Sequence, residues 1–170
     1  MTSEERFEIN PNKTVRGEEI NDKARFNRFL EILPEQKVYA FLDELTEGTY
    51  RDIYNKMLAD YEKYLEMVFS SFRCKEINKV FEEFNGVFKL LHSFLLAHFF
   101  RIRPEEEFIA LYPEMRHSSD KEKEGLWMNR FEELQSMVSN FNKQYRNFLK
   151  VGYKKFSDVS NKKWGGVFNE

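Results

Sequence analysis

With a single cysteine, Cys74, among its 170 residues, the chain cannot be stapled by disulfides, and it has no cysteine pair for a zinc site. Three histidines, His92, His98 and His117, include no i, i+4 pair of the kind that binds metal from one helix face. Four prolines and seven glycines are few for a protein built on sheets and turns. The glycines are scattered apart from Gly165 and Gly166, so there is no Gly-rich phosphate loop. Long hydrophobic runs are missing too. The greasiest stretch, from Leu90 to Phe100, spans 11 residues, against the roughly 20 needed to cross a bilayer, and reads as a buried core helix. The first twenty residues are polar and acidic where a secretory leader would be apolar, so the expected compartment is the cytoplasm.

What the chain does have is aromatic and charged. Eighteen Phe and eight Tyr stand beside 33% charged residues and a 41% apolar fraction, with a mean hydropathy of -0.68. Many charges with little turn chemistry predict long helices. Residues 1–20 show no sustained apolar period and read as a flexible arm. A first helix is expected from Asn21 or Asp22 to Pro34, which lacks an N–H and crowds the preceding turn. A second runs from Glu35 to about Glu47 with Gly48 as its stop. The row Tyr50, Tyr54, Met57, Tyr61, Tyr64, Val68 predicts a third helix over 49–72.

The next seam, Ile77, Phe81, Phe84, Phe88, Leu91, Leu95, His98, Ile102, is one residue out of phase with it, which places a turn between Ser70 and Lys75. One helix over 49–102 would be about 80 Å long, too long for a compact domain of this size. Off-seam Leu90, Phe94 and Leu96 make the fourth helix apolar nearly all round, as a central helix would be. Pro104 with Glu105, Glu106 and Glu107 predicts a short fifth helix ended by Pro113. Ser119 and Glu122 fit a capping box that opens the last helix. Its seam is the cleanest in the chain: Trp127, Phe131, Leu134, Val138, Phe141, Tyr145, Phe148. Gly152 reads as a weak point in it, and 157–170 as an irregular basic tail. The expected fold is all-α: over 21–156, an antiparallel helical bundle of three long helices plus two or three short ones.

Candidate chemistry is sparse. Glu114 and His117 have the Glu-x-x-His spacing of a di-iron ligand pair, but they lie in the polar connection after Pro113, and no second copy exists. His98 sits on a core seam. Its simplest role is a neutral imidazole with one hydrogen bond satisfied inside the bundle by a Tyr of the third helix; the sharper one is a ligand contact in an aromatic pocket with Tyr61, as in a small-ligand or haem sensor. Tyr50, Tyr54, Tyr61 and Tyr64 at helical spacing pack as core or line a wet groove. Cys74, between Arg73 and Lys75, has cations that favour thiolate and no base nearby in sequence. No cofactor is implied.

One surface feature survives. The net charge of -2 conceals a division. From Asn140 onward Lys143, Arg146, Lys150, Lys154, Lys155, Lys162 and Lys163 face only Asp158 and Glu170, a net of +5 that leaves -7 on the first 139 residues. Lys143, Arg146, Lys150 and Lys154 are spaced three, four and four residues apart, on the helix face opposite Phe141, Tyr145 and Phe148. Lys155 and Trp164 extend the patch, and an aromatic among cations suits stacking on a base or an interfacial anchor. Charges opposite an apolar seam are also what any soluble helix shows. The expected function is a non-catalytic interaction protein, a regulator, adaptor or assembly partner, that engages a protein partner or a second copy of itself. The alternatives are a nucleic-acid-binding module using the same stripe, and the ligand sensor.

Overall fold

The computed structural model describes residues 11–67 and 71–156, with side chains from residue 21 onward. It is mostly helical: α1 (Pro11–Ile32), α2 (Glu35–Thr46), α3 (Ile53–Glu66), α4 (Lys75–His98) and α5 (Lys121–Lys155). Three short strands, β1 (Thr49–Arg51), β2 (Phe99–Arg101) and β3 (Phe108–Leu111), correct the all-α expectation. They form an antiparallel sheet in the order β1-β3-β2, with Tyr50 opposite Ile109 and Phe100 opposite Ala110. β1 takes the place of the first turn expected for the third helix, and β2 begins where the fourth was to continue to Ile102. β3 replaces the short fifth helix. The reason is local alternation: Phe108, Ile109, Ala110 and Leu111 run exposed, buried, intermediate, buried, a period of two that aromatic and β-branched residues favour.

α1 begins at Pro11, ten residues before the expected start, inside the stretch read as an arm. Proline is well suited to a first helical position because its missing N–H has no partner there. Asp22 is therefore inside a helix and does not begin one. It is 1% exposed. Its carboxylate accepts the backbone N–H groups of Arg73 and Cys74 at 2.9 and 2.8 Å and pairs with Arg25, tying the start of α4 to α1. An acceptor-only side chain suits two orphan donors just ahead of a helix.

Other expectations match. Pro34 separates α1 from α2, whose Val38, Phe41, Leu42 and Leu45 are buried, and Gly48 follows with φ +75°, a conformation open to glycine without strain. The break between the third and fourth seams falls between Glu66 and Lys75; Val68 lies outside the described residues. The α5 seam is buried from Leu134 to Phe148. Its cap is Asp120, one residue after the expected Ser119, with Oδ1 accepting the Glu122 N–H at 3.0 Å. α4 is not buried all round: Leu90 and Leu96 are exposed.

The core is aromatic. Along α4 and α5, Phe81 meets Phe148, Phe84 meets Tyr145, and Phe88 meets Phe141, so these two helices run in opposite directions. Tyr64 meets Phe81 and Tyr61 meets Phe88, so α3 also opposes α4. Phe29 of α1, 0% exposed, packs against Tyr61, Phe84, Tyr145 and Phe148 at once. The Tyr145 hydroxyl donates to the Leu33 carbonyl at 2.7 Å. The inner sheet face (Tyr50, Phe99, Ile109, Leu111) is buried against the helices. Trp127 of α5 donates from its ring N–H to the Leu111 carbonyl at 2.8 Å.

α5 passes straight through Gly152, and the glycine is there for space. A Cβ at that position would lie 2.1 Å from the Phe26 ring, itself enclosed by Phe148, Tyr153 and Phe156. Alanine would gain up to about 1 kcal/mol of helix propensity and lose about 1–3 kcal/mol or more to overpacking. Gly152→Ala is thus expected to lower the denaturation midpoint. Gly125→Ala, where nothing lies within 4 Å of the added Cβ, is expected to raise it; equal shifts in urea melts would contradict the contact. A second test uses the tyrosines. Burial pushes Tyr50, Tyr64 and Tyr153 up to about 12 and moves Tyr61 and Tyr145 in the same direction. Phenols that keep their proton in the fold but lose it near pH 10 when unfolded contribute stability that is complete below about pH 10 and falls toward about pH 12. Ionisation of these five rings should therefore coincide with alkaline unfolding. Any of the five ionising at about pH 10 in a chain that is still folded, followed ring by ring by NMR, would overturn this.

Candidate functional site

Two surfaces at opposite ends of α5 stand out. Its C-terminal half, 140–155, contains five cations and no carboxylate, whereas 121–139 alternates both signs. Lys143, Arg146, Lys150, Lys154 and Lys155 are all exposed, and Phe141, Tyr145 and Phe148 behind them are buried. Lys143, Arg146 and Lys150 line a groove of about 390 Å3 with Gln144, Asn147 and Glu83 of α4. The Arg146 guanidinium lies 5.3 Å from the centre of the Tyr39 ring, which holds it in place by a cation–π contact. Among the described residues no ion pair reaches Lys143, Lys150, Lys154 or Lys155, as is also true of Lys37, Lys75, Lys79, Lys89, Lys121 and Lys123, while Arg25, Arg28, Arg51, Lys56, Arg101 and Arg130 each have a carboxylate partner. Trp164 lies outside the described residues, as do Lys162 and Lys163.

The other surface is apolar and was missed in the sequence, where Leu90 to Phe100 reads as core. Leu96 is 72% and Ile102 62% exposed, and Leu90, Phe100, Phe108, Leu126, Met128 and Ile53 are exposed as well. These belong to the half of the molecule that carries the sheet, whereas Met67, also exposed, follows α3 at the other end. Strand alternation explains part of this: Phe99, Ile109 and Leu111 point inward, so Phe100, Phe108 and Ala110 share the outer face. Phe100, Ile102, Tyr112, Pro113 and Met115 line a cavity of about 490 Å3, with Arg101 and Glu114 at its border. Arg101 is anchored by Asp52 at 2.8 Å and by the Glu106 carbonyl. The available signal was phase: Leu90 and Leu96 fall off the seam of Leu91, Leu95 and His98.

His98 and Tyr61 are not brought together. Tyr61 is fully buried, with rings of Phe29, Tyr64, Phe84 and Phe88 around it and its hydroxyl donating to Asn85. His98 packs on Phe94 and Tyr112, and its Nδ1 is 2.5 Å from the Tyr112 hydroxyl. Among the described residues the two have no ring or hydrogen-bond partner in common. Tyr112 also donates its backbone N–H to the His98 carbonyl and has φ +34°, a strained conformation for an aromatic residue. Desolvation, then the charge of Arg130, holds the His98 imidazole below its usual range, so it is neutral at pH 7.

Of the remaining reactive groups one is tied to a partner side chain. The ring of His92 meets Glu62 across α3 and α4 at 2.7 Å, and Cys74 precedes α4 with its N–H on Asp22. His117 is exposed in the turn before α5, with φ +58°. Among the described residues no three His, Cys, Asp or Glu side chains converge on a metal position, and no helix is long and apolar enough to cross a membrane. No family model, curated protein or solved structure matches the chain.

The His98 environment is directly measurable. A base that prefers its neutral form in the fold contributes stability present above about pH 6.5 and lost as the pH falls through its lowered folded value. An NMR titration of the three imidazoles is expected to place the His98 midpoint below about 6.5; a His98 midpoint above about 6.5 would contradict the half-buried site, in which desolvation and Arg130 outweigh Glu133.

Proposed function

We propose that the chain, an antiparallel bundle of long helices closed at one end by the small sheet, is a non-catalytic interaction protein that docks a protein partner on its sheet end. The observation that supports this is the concentration of exposed large apolar side chains there. Phe100 and Phe108 share the sheet's outer face, Phe100 and Ile102 line the adjoining cavity, and Leu96 is exposed on the α4 turn that leads into β2. Scattered apolar residues are ordinary on a protein surface, but a contiguous group next to a concave site marks a place that a partner covers. Aromatic anchors beside a pocket, with Arg101 and Glu114 at its border, have the arrangement of an interface centre with a polar rim. β2 is also an edge strand of the sheet, so an extended segment has backbone groups to pair with beside the apolar side chains. The imidazoles of His98 and His92 are engaged by Tyr112 and Glu62, and no base is seen beside the free thiol of Cys74 among the described residues.

Phe100→Ser with Ile102→Ser should leave the denaturation midpoint close to that of the parent, because both side chains are exposed. It should abolish capture of a defined protein by a photo-crosslinker placed at position 108, or a concentration-dependent dimer seen by light scattering. A chain that stays monomeric and crosslinks the same proteins with and without the double substitution would overturn the proposal.

A further inference from the structure

The cationic face at the other end of α5 is independent of the apolar surface, and the geometry points to a distinct activity for it: sequence-independent binding of a nucleic-acid duplex through its phosphate backbone, using Lys143, Arg146, Lys150 and Lys154. Helix stability does not account for these charges. Cations near a helix C-terminus interact favourably with its dipole only within the last turn, which here covers Lys154 and Lys155. Lys143, Arg146 and Lys150 lie further back. Nor do they neutralise acids nearby, since no ion pair ties the lysines down among the described residues, and Glu83 is the one carboxylate lining their groove.

Their spacing is that of a line. From Lys143 to Lys154 the axis advances about 17 Å at 1.5 Å per residue, close to five steps of one strand at 3.4 Å each. The four cations, about 5 to 6 Å apart along the axis, can therefore meet four of the roughly six phosphates that this length of one strand spans. Arg146 is held over Tyr39, and Gln144 and Asn147 offer amide donors beside the rail, the residue types that position a protein on phosphates and carry no sequence information.

The same features weigh against the other polyanions. A helix that lies in a membrane surface inserts an apolar face, but the apolar face of this half of α5 is buried: Phe141, Tyr145, Phe148 and Leu149 all belong to the core. An acidic protein surface would be expected to present an interface with aromatic or apolar anchors at its centre. Among the described residues no large apolar side chain is exposed between Asn140 and Lys155. For the same reason single strands, whose binders stack bases on exposed aromatics, fit less well than a duplex.

The test is fluorescence anisotropy of a labelled DNA or RNA duplex of about 20 base pairs, titrated with the full chain from about 50 to 200 mM NaCl. Four phosphate contacts predict that log K falls with log salt with a slope of about -3.6, and that Lys150→Gln alone reduces the slope by about 0.9. The combined Lys143→Gln, Arg146→Gln, Lys150→Gln, Lys154→Gln chain should lose more than about tenfold in affinity at the lowest salt. All four positions are exposed, so its melting midpoint should match the parent. Lys121→Gln with Lys123→Gln, on the same helix outside the stripe, should leave the slope unchanged. Phe100→Ser with Ile102→Ser should do likewise, which separates this site from the apolar one. Undetectable duplex binding at low salt, or a slope indifferent to the stripe substitutions, overturns the proposal. Stripe-dependent capture of phosphatidylserine vesicles or of polyglutamate without duplex binding overturns it in favour of a lipid or an acidic protein.

Discussion

The ring of Phe29 meets rings from α3, α4 and α5 at the same point: Tyr61, Phe84, Tyr145 and Phe148. Each is an edge-to-face or stacked pair of the kind aromatic quadrupoles favour. Because one side chain of α1 closes contacts with three other helices, their relative positions depend on its volume. Removing such a ring from a packed core costs about 3–5 kcal/mol, a large part of the stability of a domain this size. The neighbouring Phe26 extends the constraint along α5, where Gly152 is the only residue that lets the helix approach its ring. Asp22, one turn earlier in α1, secures the entry to α4 with its carboxylate. α1 thus organises the core from one side with three different forces: dispersion, close steric approach and charge-assisted hydrogen bonds.

With its aromatic residues committed to the interior, the chain differentiates its two ends by what is left outside. At the sheet end, the pleat of short strands turns every second apolar residue to solvent, and the result is an exposed surface beside a cavity. At the other end, α5 has only cations and amides to show. An elongated helical core keeps these two surfaces apart, so substitutions in one have no direct contact through which to disturb the other. The surfaces proposed for a protein partner and for a duplex are therefore separate in one small molecule.

Several elements were legible from local pattern. The seam from Leu134 to Phe148 repeats often enough over about four turns that a buried face was the only sensible arrangement. Pro34 and Gly48 act through backbone chemistry that needs no context. The strands were not legible in the same way. Three or four residues are too few to establish a period, and Phe99–Arg101 follows without a break from a strongly helical stretch. What makes them strands is pairing with partners far along the chain, Tyr50 with Ile109 and Phe100 with Ala110. The cap of α5 was displaced by a single residue because Ser119 and Asp120 are both competent acceptors, and only the path of the incoming chain selects between them.

For the candidate sites the division is similar. Periodicity alone placed Lys143, Arg146, Lys150 and Lys154 on one outward face, since the angle between residues of a helix is set by its backbone. It also placed His98 and Tyr61 on inward faces, but facing inward on two helices does not make two residues neighbours. The hydroxyl that meets His98 comes from Tyr112, beyond the sheet, and the groove beside the cations exists because α4 happens to pass with Glu83. The amino-acid sequence by itself determined the helices, their buried faces and the line of positive charge, all consequences of bonds and angles within a few turns. The tertiary structure alone decided the sheet, the apolar end and the partner of each buried polar group, because those depend on which distant segments the packed core brings together.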